Sequence, residues 1–357
     1  MGEVAMYSFK NDYSEGAHPN LLKALQQTNL EQHQGYGDDV FCTEAAHLIK
    51  ETFMLNHDEI HFFVGGTQTN LTVISAFLKP YEAVISADSG HVAVHETGAI
   101  EATGHKVIPV SSHDGKLSVA QIKDVLKTHI DEHMVKPKLV YLSNPTELGT
   151  IYQKSELEAI YEYCQEQNLI CYLDGARLWS ALCCEKNDLL PSNLAQLTDV
   201  FYIGGTKMGA LCGEALVINQ PMLRKDFRFN MKQKGALLAK GRILGLQFSE
   251  LFKDNLYFEL ANHANEMARL LKVGISSLGY QFMVDSDTNQ IFPIIPNKIV
   301  ALLETKYLFT RWDSTNRTET VIRLVTSWST SEKAVKEFIQ DLKKFTVLEL
   351  RGKLMDS

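Results

Sequence analysis

The chain has 357 residues, 45% of them hydrophobic, with a formal net charge of −8: enough for one large core and a smaller second one. The acidic balance leaves no basic footprint for nucleic acid or an anionic membrane surface, so any bound anion must be held by a local site. No apolar run reaches membrane-spanning length, and the opening "MGEVAMYSFKNDYSEG" has neither the basic region nor the apolar stretch of a secretory signal, which makes the cytoplasm the expected compartment.

Between residues 59 and 219, short β-branched and aromatic runs alternate with helix-period segments. "EIHFFVG", "EAVISAD", "HKVIPV", "KLVYLSN", "LICYLDG", "DVFYIGG" and "EALVIN" read as seven strands. "SVAQIKDVLKTHIDEH" and "SELEAIYEYCQEQN" read as helices between them, each opening on a serine able to cap it. This alternation predicts an α/β fold with a mostly parallel sheet covered on both faces. Beyond residue 235 come long helical runs, "LLAKGRILGLQFSELFKDN" and "YFELANHANEMARLLKVGISSLG". Strand-like pieces follow at "YQFMVDSD", "IFPIIP", "TRWDS" and "TVIRLVTSW", then a last helix "SEKAVKEFIQDLKKF". The reading is a large domain over 1–250, including the N-terminal segment, and a small C-terminal α/β domain over 251–357. The six cysteines show no CxxC spacing, and most lie in apolar runs, as buried free thiols rather than a metal centre.

In open parallel sheets ligands gather at the carboxyl ends of the strands, and three polar groups fall there. "VGGTQTN" runs from a strand through Gly65 and Gly66 into Thr67 and Gln68 at a helix start, where a phosphate can be held; Gly-Gly-Thr is also an ordinary helix entry. In "CYLDGARLW", Asp174 follows an apolar strand directly, and an ion pair with Arg177 or a helix cap would explain it equally. In "YIGGTKMGA", Lys207 is set among glycines that read as space beside it. It is either a surface lysine or a desolvated amine of lowered pKa able to form a Schiff base.

Taken together, the three supply what pyridoxal 5'-phosphate needs: a covalently binding lysine, a carboxylate for the pyridine nitrogen and a phosphate cradle. His91, in "ADSGHVAVHETGA", falls where an imidazole can stack on the cofactor ring. Glu96 in the same stretch reads as a helix-start acid.

"GYGDDVF", "GGTQTNL", "GHVAVHETGA", "DGARLW", "GGTKMGA" and "VIRLVTSW" resemble, in order and spacing, the motifs of the low-specificity threonine aldolases. These belong to the aromatic amino acid β-eliminating lyase/threonine aldolase group of fold-type I pyridoxal-phosphate enzymes. The resemblance runs from about residue 8 to 330. It implies that Lys207 binds the cofactor aldehyde, Asp174 partners the pyridine nitrogen, His91 stacks on the ring, and Gly66, Thr67 and Gln68 hold the phosphate. It makes Arg177 and Arg323 the clamp for the substrate carboxylate, with Asn11 near that carboxylate. It also implies a homodimer or homotetramer with shared active sites, to which Tyr36 and Lys232 or Lys234 contribute across the interface.

The implied reaction is cleavage of a β-hydroxy amino acid to glycine and an aldehyde, with His91 or a water it holds as the base for the hydroxyl proton. Where family members commonly carry a histidine that reaches the hydroxyl, this chain reads Asn144-Pro145-Thr146-Glu147, so that contact is not carried over. A β-eliminating lyase, an aminotransferase and a non-catalytic pyridoxal-phosphate-binding protein are the alternatives.

Overall fold

The computed structural model describes residues 6–56, 59–313 and 317–355. Residues 1–5, where the reading of the N-terminus begins, and Ser314 of "TRWDS" lie outside them. The first strand is β1 (Tyr7–Ser8). The large sheet follows with β2 (Glu59–Phe63), β3 (Glu82–Ala87), β4 (Lys106–Val110), β5 (Lys136–Ser143), β6 (Ile170–Asp174), β7 (Val200–Gly204) and β8 (Glu214–Ile218). These are the seven expected strands, in the order β2-β8-β7-β6-β5-β3-β4. Only β8 runs against the others, pairing antiparallel with β2 and β7. Strands β3, β6, β7 and β8 are buried along their whole length, which is why they read as continuous apolar runs rather than alternating ones.

Alternate residues of the central strands feed two cores. Val140, Leu142, Cys171, Leu173, Phe201 and Ile203 pack on one face with Phe53, Leu157 and Phe248. Tyr141, Tyr172 and Tyr202 pack on the other with Phe63, Val73 and Phe227. Tyr141 lies opposite Tyr172 in the ladder, and the three tyrosines form a buried row whose hydroxyls need partners.

The remaining strands are β9 (Gln290–Ile291), β10 (Ile294–Pro296), β11 (Tyr307–Leu308), β12 (Thr310–Asp313) and β13 (Glu319–Val325). An antiparallel sheet orders β10-β13-β12, with β9 also on β13. Its core is closed by helices Leu256–Ser277 and Glu332–Met355. The N-terminal segment joins this second layer: β1 pairs parallel with β11, and Phe9 is fully buried among Leu271, Phe338 and Leu342.

Three local expectations change. Helix Val119–Thr128 is capped by Ser118 as read, through a reciprocal box with Gln121, but helix Lys154–Glu166 starts before Ser155, with the Gln153 N–H donating to Glu156 at 2.8 Å. The long run 237–255 is helical only over Arg242–Phe252, because Gly241 packs on the Tyr36–Gly37 turn and Asp254 and Asn255 adopt left-handed backbone. "YQFMVDSD" is no strand beyond a single bridge from Phe282 to Pro293; Asp285 and Asp287 are instead drawn to Lys186 and Lys272.

Candidate active site

The carboxyl ends of β2, β5, β6 and β7 open on a cavity of about 670 Å³, closed from the second sheet by Gln290, Trp312 and Arg323. Gly66, Thr67, His91, Asp174, Arg177, Lys207 and Arg323 all line it. Glycine is required at position 66, since a Cβ there would stand 2.9 Å from the Tyr202 hydroxyl. Helix Gly66–Phe77 has no side-chain cap at Gly65, so its first amides face the cavity without internal partners. Gln68 does not line it: its amide nitrogen donates to the Lys234 carbonyl at 3.3 Å.

Asp174 ends β6 on the same face as the tyrosine row. Tyr141 donates to its Oδ2 at 2.5 Å, Asn70 donates to Oδ2 at 3.2 Å, and the Ala176 N–H donates to Oδ1 at 3.0 Å. The competing explanation, an ion pair with Arg177, does not form. Arg177 instead meets Asp12 side-on. Three donors around one buried carboxylate hold it fixed.

Asn70 also donates to Glu96 at 2.6 Å, accepts from Tyr172 at 2.7 Å, and lies behind His91, whose Nδ1 is 2.8 Å from the same Glu96 oxygen. Glu96 is therefore not a helix-start acid: it follows helix His91–Val94 and orients the His91 ring from a buried position.

Lys207 sits in a short 3-10 turn directly after β7. Burial first, and the nearby Arg177 charge second, lower its pKa against the opposing pull of Asp12, Asp174 and Glu214. A lowered pKa leaves more of an amine in its neutral, nucleophilic form. The flanking glycines do not serve as room for a ligand. A Cβ at Gly204 would lie 2.2 Å from the Ala176 carbonyl oxygen and one at Gly205 2.9 Å from that of Gly213, while Gly209 has φ +96°. They let β7 press against its neighbours and turn, which aims the lysine.

Arg323, on β13, lies over the Trp312 ring at 5.5 Å and donates from Nη2 and Nε to Gln290 Oε1, at 2.5 and 3.2 Å. Asn11, Tyr36 and Lys234 do not line the cavity. Asn11 Oδ1 is occupied by the Tyr13 N–H and Ser14 hydroxyl of its own loop, and it is Tyr13 that reaches the cavity. Tyr36 is 44% exposed, in left-handed backbone, with Lys232 Nζ 4.3 Å above its ring.

Sequence reasoning passed over Asp12, Asn70, His95, the tyrosine row, Glu214 and Gln290. Glu214 carries the one readable signal, a carboxylate opening a fully buried strand. The others take their meaning from residues far away in the chain.

The fold is that of the fold-type I pyridoxal-phosphate enzymes. An aspartate aminotransferase from Thermus thermophilus superposes with a TM-score of 0.71 over 96% of this chain and 92% of its own, at 15% identity, a likeness of fold alone. The chain belongs to the beta-eliminating lyase family, whose model matches residues 13–297. A low-specificity L-threonine aldolase of Pseudomonas aeruginosa is 30% identical over 94% of this chain and 96% of its own length. A threonine aldolase structure from Leishmania major is 48% identical, with a TM-score of 0.94, covering 95% of this chain and 99% of that one.

Proposed function

We propose that this chain cleaves a β-hydroxy amino acid of the threonine or allo-threonine type to glycine and an aldehyde, with pyridoxal 5'-phosphate as cofactor. The observation that carries the reading is the convergence on one cavity of a depressed lysine, a fixed carboxylate, uncapped helix amides and two arginines. The relatives named as threonine aldolases support the substrate class.

The residues present fit the cofactor. Lys207 would hold its aldehyde carbon, Asp174 would accept from the pyridine N–H, and the amides of Gly66, Thr67 and Gln68 would take the phosphate, with Lys234 close by through Gln68. His91, braced by Glu96, would stack on the ring. When bound, the cofactor supplies an electron sink for the pair left at Cα after the Cα–Cβ bond breaks. Arg323 and the outer edge of Arg177 would hold the substrate carboxylate and so orient the amino acid for Cα–Cβ cleavage. Asn11 acts indirectly, by shaping the loop of Asp12 and Tyr13.

The chain divides near residue 250 into a large and a small domain, with Phe9 and its neighbours crossing to the small one. Tyr36 and Lys234 serve a neighbouring subunit in a homodimer or homotetramer. Free cysteines suit a cytoplasmic setting, and among the described residues no helix is long and apolar enough to cross a membrane.

The test is an absorbance spectrum of the purified protein with pyridoxal phosphate, followed by product analysis. L-threonine and L-allo-threonine should yield glycine and acetaldehyde in equal amounts. A keto acid with ammonia would replace the aldolase reading by β-elimination, and a coloured protein inert to all β-hydroxy amino acids would leave only a cofactor binder.

A further inference from the structure

Glu147 lies on the loop after β5 and lines the same cavity as Lys207, His91 and Arg323. Its two oxygens are treated differently. Oε1 accepts from the His91 backbone N–H and from the Ser143 hydroxyl, each at 2.8 Å. Oε2 is buried and, among the described residues, has no hydrogen-bond partner. A buried acceptor left in this state forgoes about 1–3 kcal/mol, more when charged, so a native structure keeps one where something else completes it.

Glu96 and Glu214 also keep one bonded oxygen and one buried oxygen without a partner among the described residues, so position decides between them. Asp174 is bonded at both oxygens, Glu96 stands behind His91, and Glu214 is bound to Thr206 under Lys207. His91 has Nδ1 tied to Glu96. Of these three glutamates, Glu147 is the one that both lines the cavity and is anchored to the His91 backbone, with Arg323 acting on it from the facing sheet.

We propose that Glu147 is the catalytic base for the substrate's β-hydroxyl: Oε2 accepts the hydrogen bond of that hydroxyl and then its proton. This rests on the aldolase reading above. As the proton moves to Oε2, the O–H electron pair becomes the second bond of the aldehyde carbonyl. The Cα–Cβ bond breaks and its electron pair stays on Cα. A proton taken up at Cα completes glycine and balances the one removed, which Glu147 returns to solvent.

The charged and titratable groups that act on Glu147 are Asp174, His91, Arg177, Arg323, Tyr141 and Tyr152. Burial first and the Asp174 charge second raise its pKa, while Ser143 and His91 pull the other way. The net result is a stronger base than an exposed glutamate.

The test compares the natural holoenzyme with Glu147→Gln, which keeps an acceptor for His91 and Ser143 but loses the basic oxygen. With L-threonine, kcat should fall about 10²–10⁴-fold. KM, the cofactor absorbance band and the change glycine produces in that band should persist, and Glu147→Asp should recover part of the rate. The natural enzyme's kcat should decline at acid pH, and that decline should vanish in the Gln variant. A Gln variant with kcat within about threefold of the natural enzyme overturns the assignment. So does loss of the cofactor band and of glycine binding in step with kcat, which would mark a structural role. A natural enzyme whose kcat shows no acid limb overturns it without any variant. A natural holoenzyme that releases no acetaldehyde overturns the aldolase reading as well, whereas natural activity with an unaffected Gln variant overturns the base assignment alone.

Discussion

Asp12 and Arg177 meet side-on, Nε to Oδ2 at 2.6 Å and Nη2 to Oδ1 at 2.9 Å, with Asn289 donating a further bond to Asp12. Asp12 has no solvent exposure. The N-terminal loop is thereby fastened to the end of β6, and Arg177 reaches the cavity with its charge already balanced. Removing one member of a buried pair leaves the other unpaired. Asp12→Ala should therefore cost about 3–5 kcal/mol in denaturant unfolding, and a loss below about 1 kcal/mol would mean the pair is dispensable.

The same pair sets a pH dependence. Burial pushes the Asp12 carboxyl up, but the charge and hydrogen bonds of Arg177 outweigh this and bring it below its ordinary value. Its contribution is then present above the unfolded-chain value of about 3.9 and is lost as pH falls through the lower folded value. The stability gap between the natural protein and Asp12→Ala should stay constant down to about pH 4 and close only below it. A gap that closes at higher pH would contradict the lowered value.

Arg323 differs from Arg177 because its partner is the neutral Gln290. Burial and the nearby Arg177 charge lower its pKa to about 10, still leaving it charged near neutrality. Among the described residues no carboxylate forms an ion pair with it. Arg323→Lys keeps the charge and loses the planar fork, so kcat/KM should fall by roughly 10–100-fold, equivalent to about 1.5–3 kcal/mol for a hydrogen bond to a charged group. The cofactor band should remain. Steady-state kinetics with unchanged kcat/KM would remove Arg323 from substrate binding.

Glu214 is buried beside Lys207. Burial raises its pKa to about 8, with Lys207 and Thr206 opposing. Its folded value lies above the unfolded one, so its contribution to stability is full below about pH 4.3 and declines as pH rises through the folded value. Glu214→Gln should remove that decline, and without cofactor the variant should become the more stable of the two at alkaline pH. Melting temperatures across pH that run parallel for both proteins would refute this.

What was legible in the sequence follows from range. Strands β3, β6, β7 and β8 of the large sheet are buried along their length and appear as local apolar runs, and Lys207 and Asp174 appear as polar groups ending such runs. The partners that give these groups their properties are far away. Asp12 lies 165 positions from Arg177 and Asn70 104 from Asp174, and neither separation leaves a local pattern. Glycines 204 and 205 misled because room for a ligand and room for a neighbouring strand look identical in one dimension. The break at Asp254 and Asn255 was hidden because left-handed backbone there carries no glycine.

Tyr36 and Lys207 test the proposed sharing of sites between subunits most directly. Tyr36 lies outside the cavity of its own chain, on a separate groove with Arg228 and Leu237, and is 44% exposed. Lys207→Ala should lose the cofactor absorbance band, and Tyr36→Ala should lose most activity while keeping it. In a dimer with exchanged tyrosines, mixing the two inactive variants and allowing subunits to re-form gives one complete site, built from the natural Lys207 of one chain and the natural Tyr36 of the other. Random pairing makes half the dimers mixed, each with one working site of two, so activity should return to about one quarter of the natural level. If Tyr36 serves its own chain, no combination restores a complete site and the mixture stays inactive, so the regained activity alone distinguishes the two arrangements.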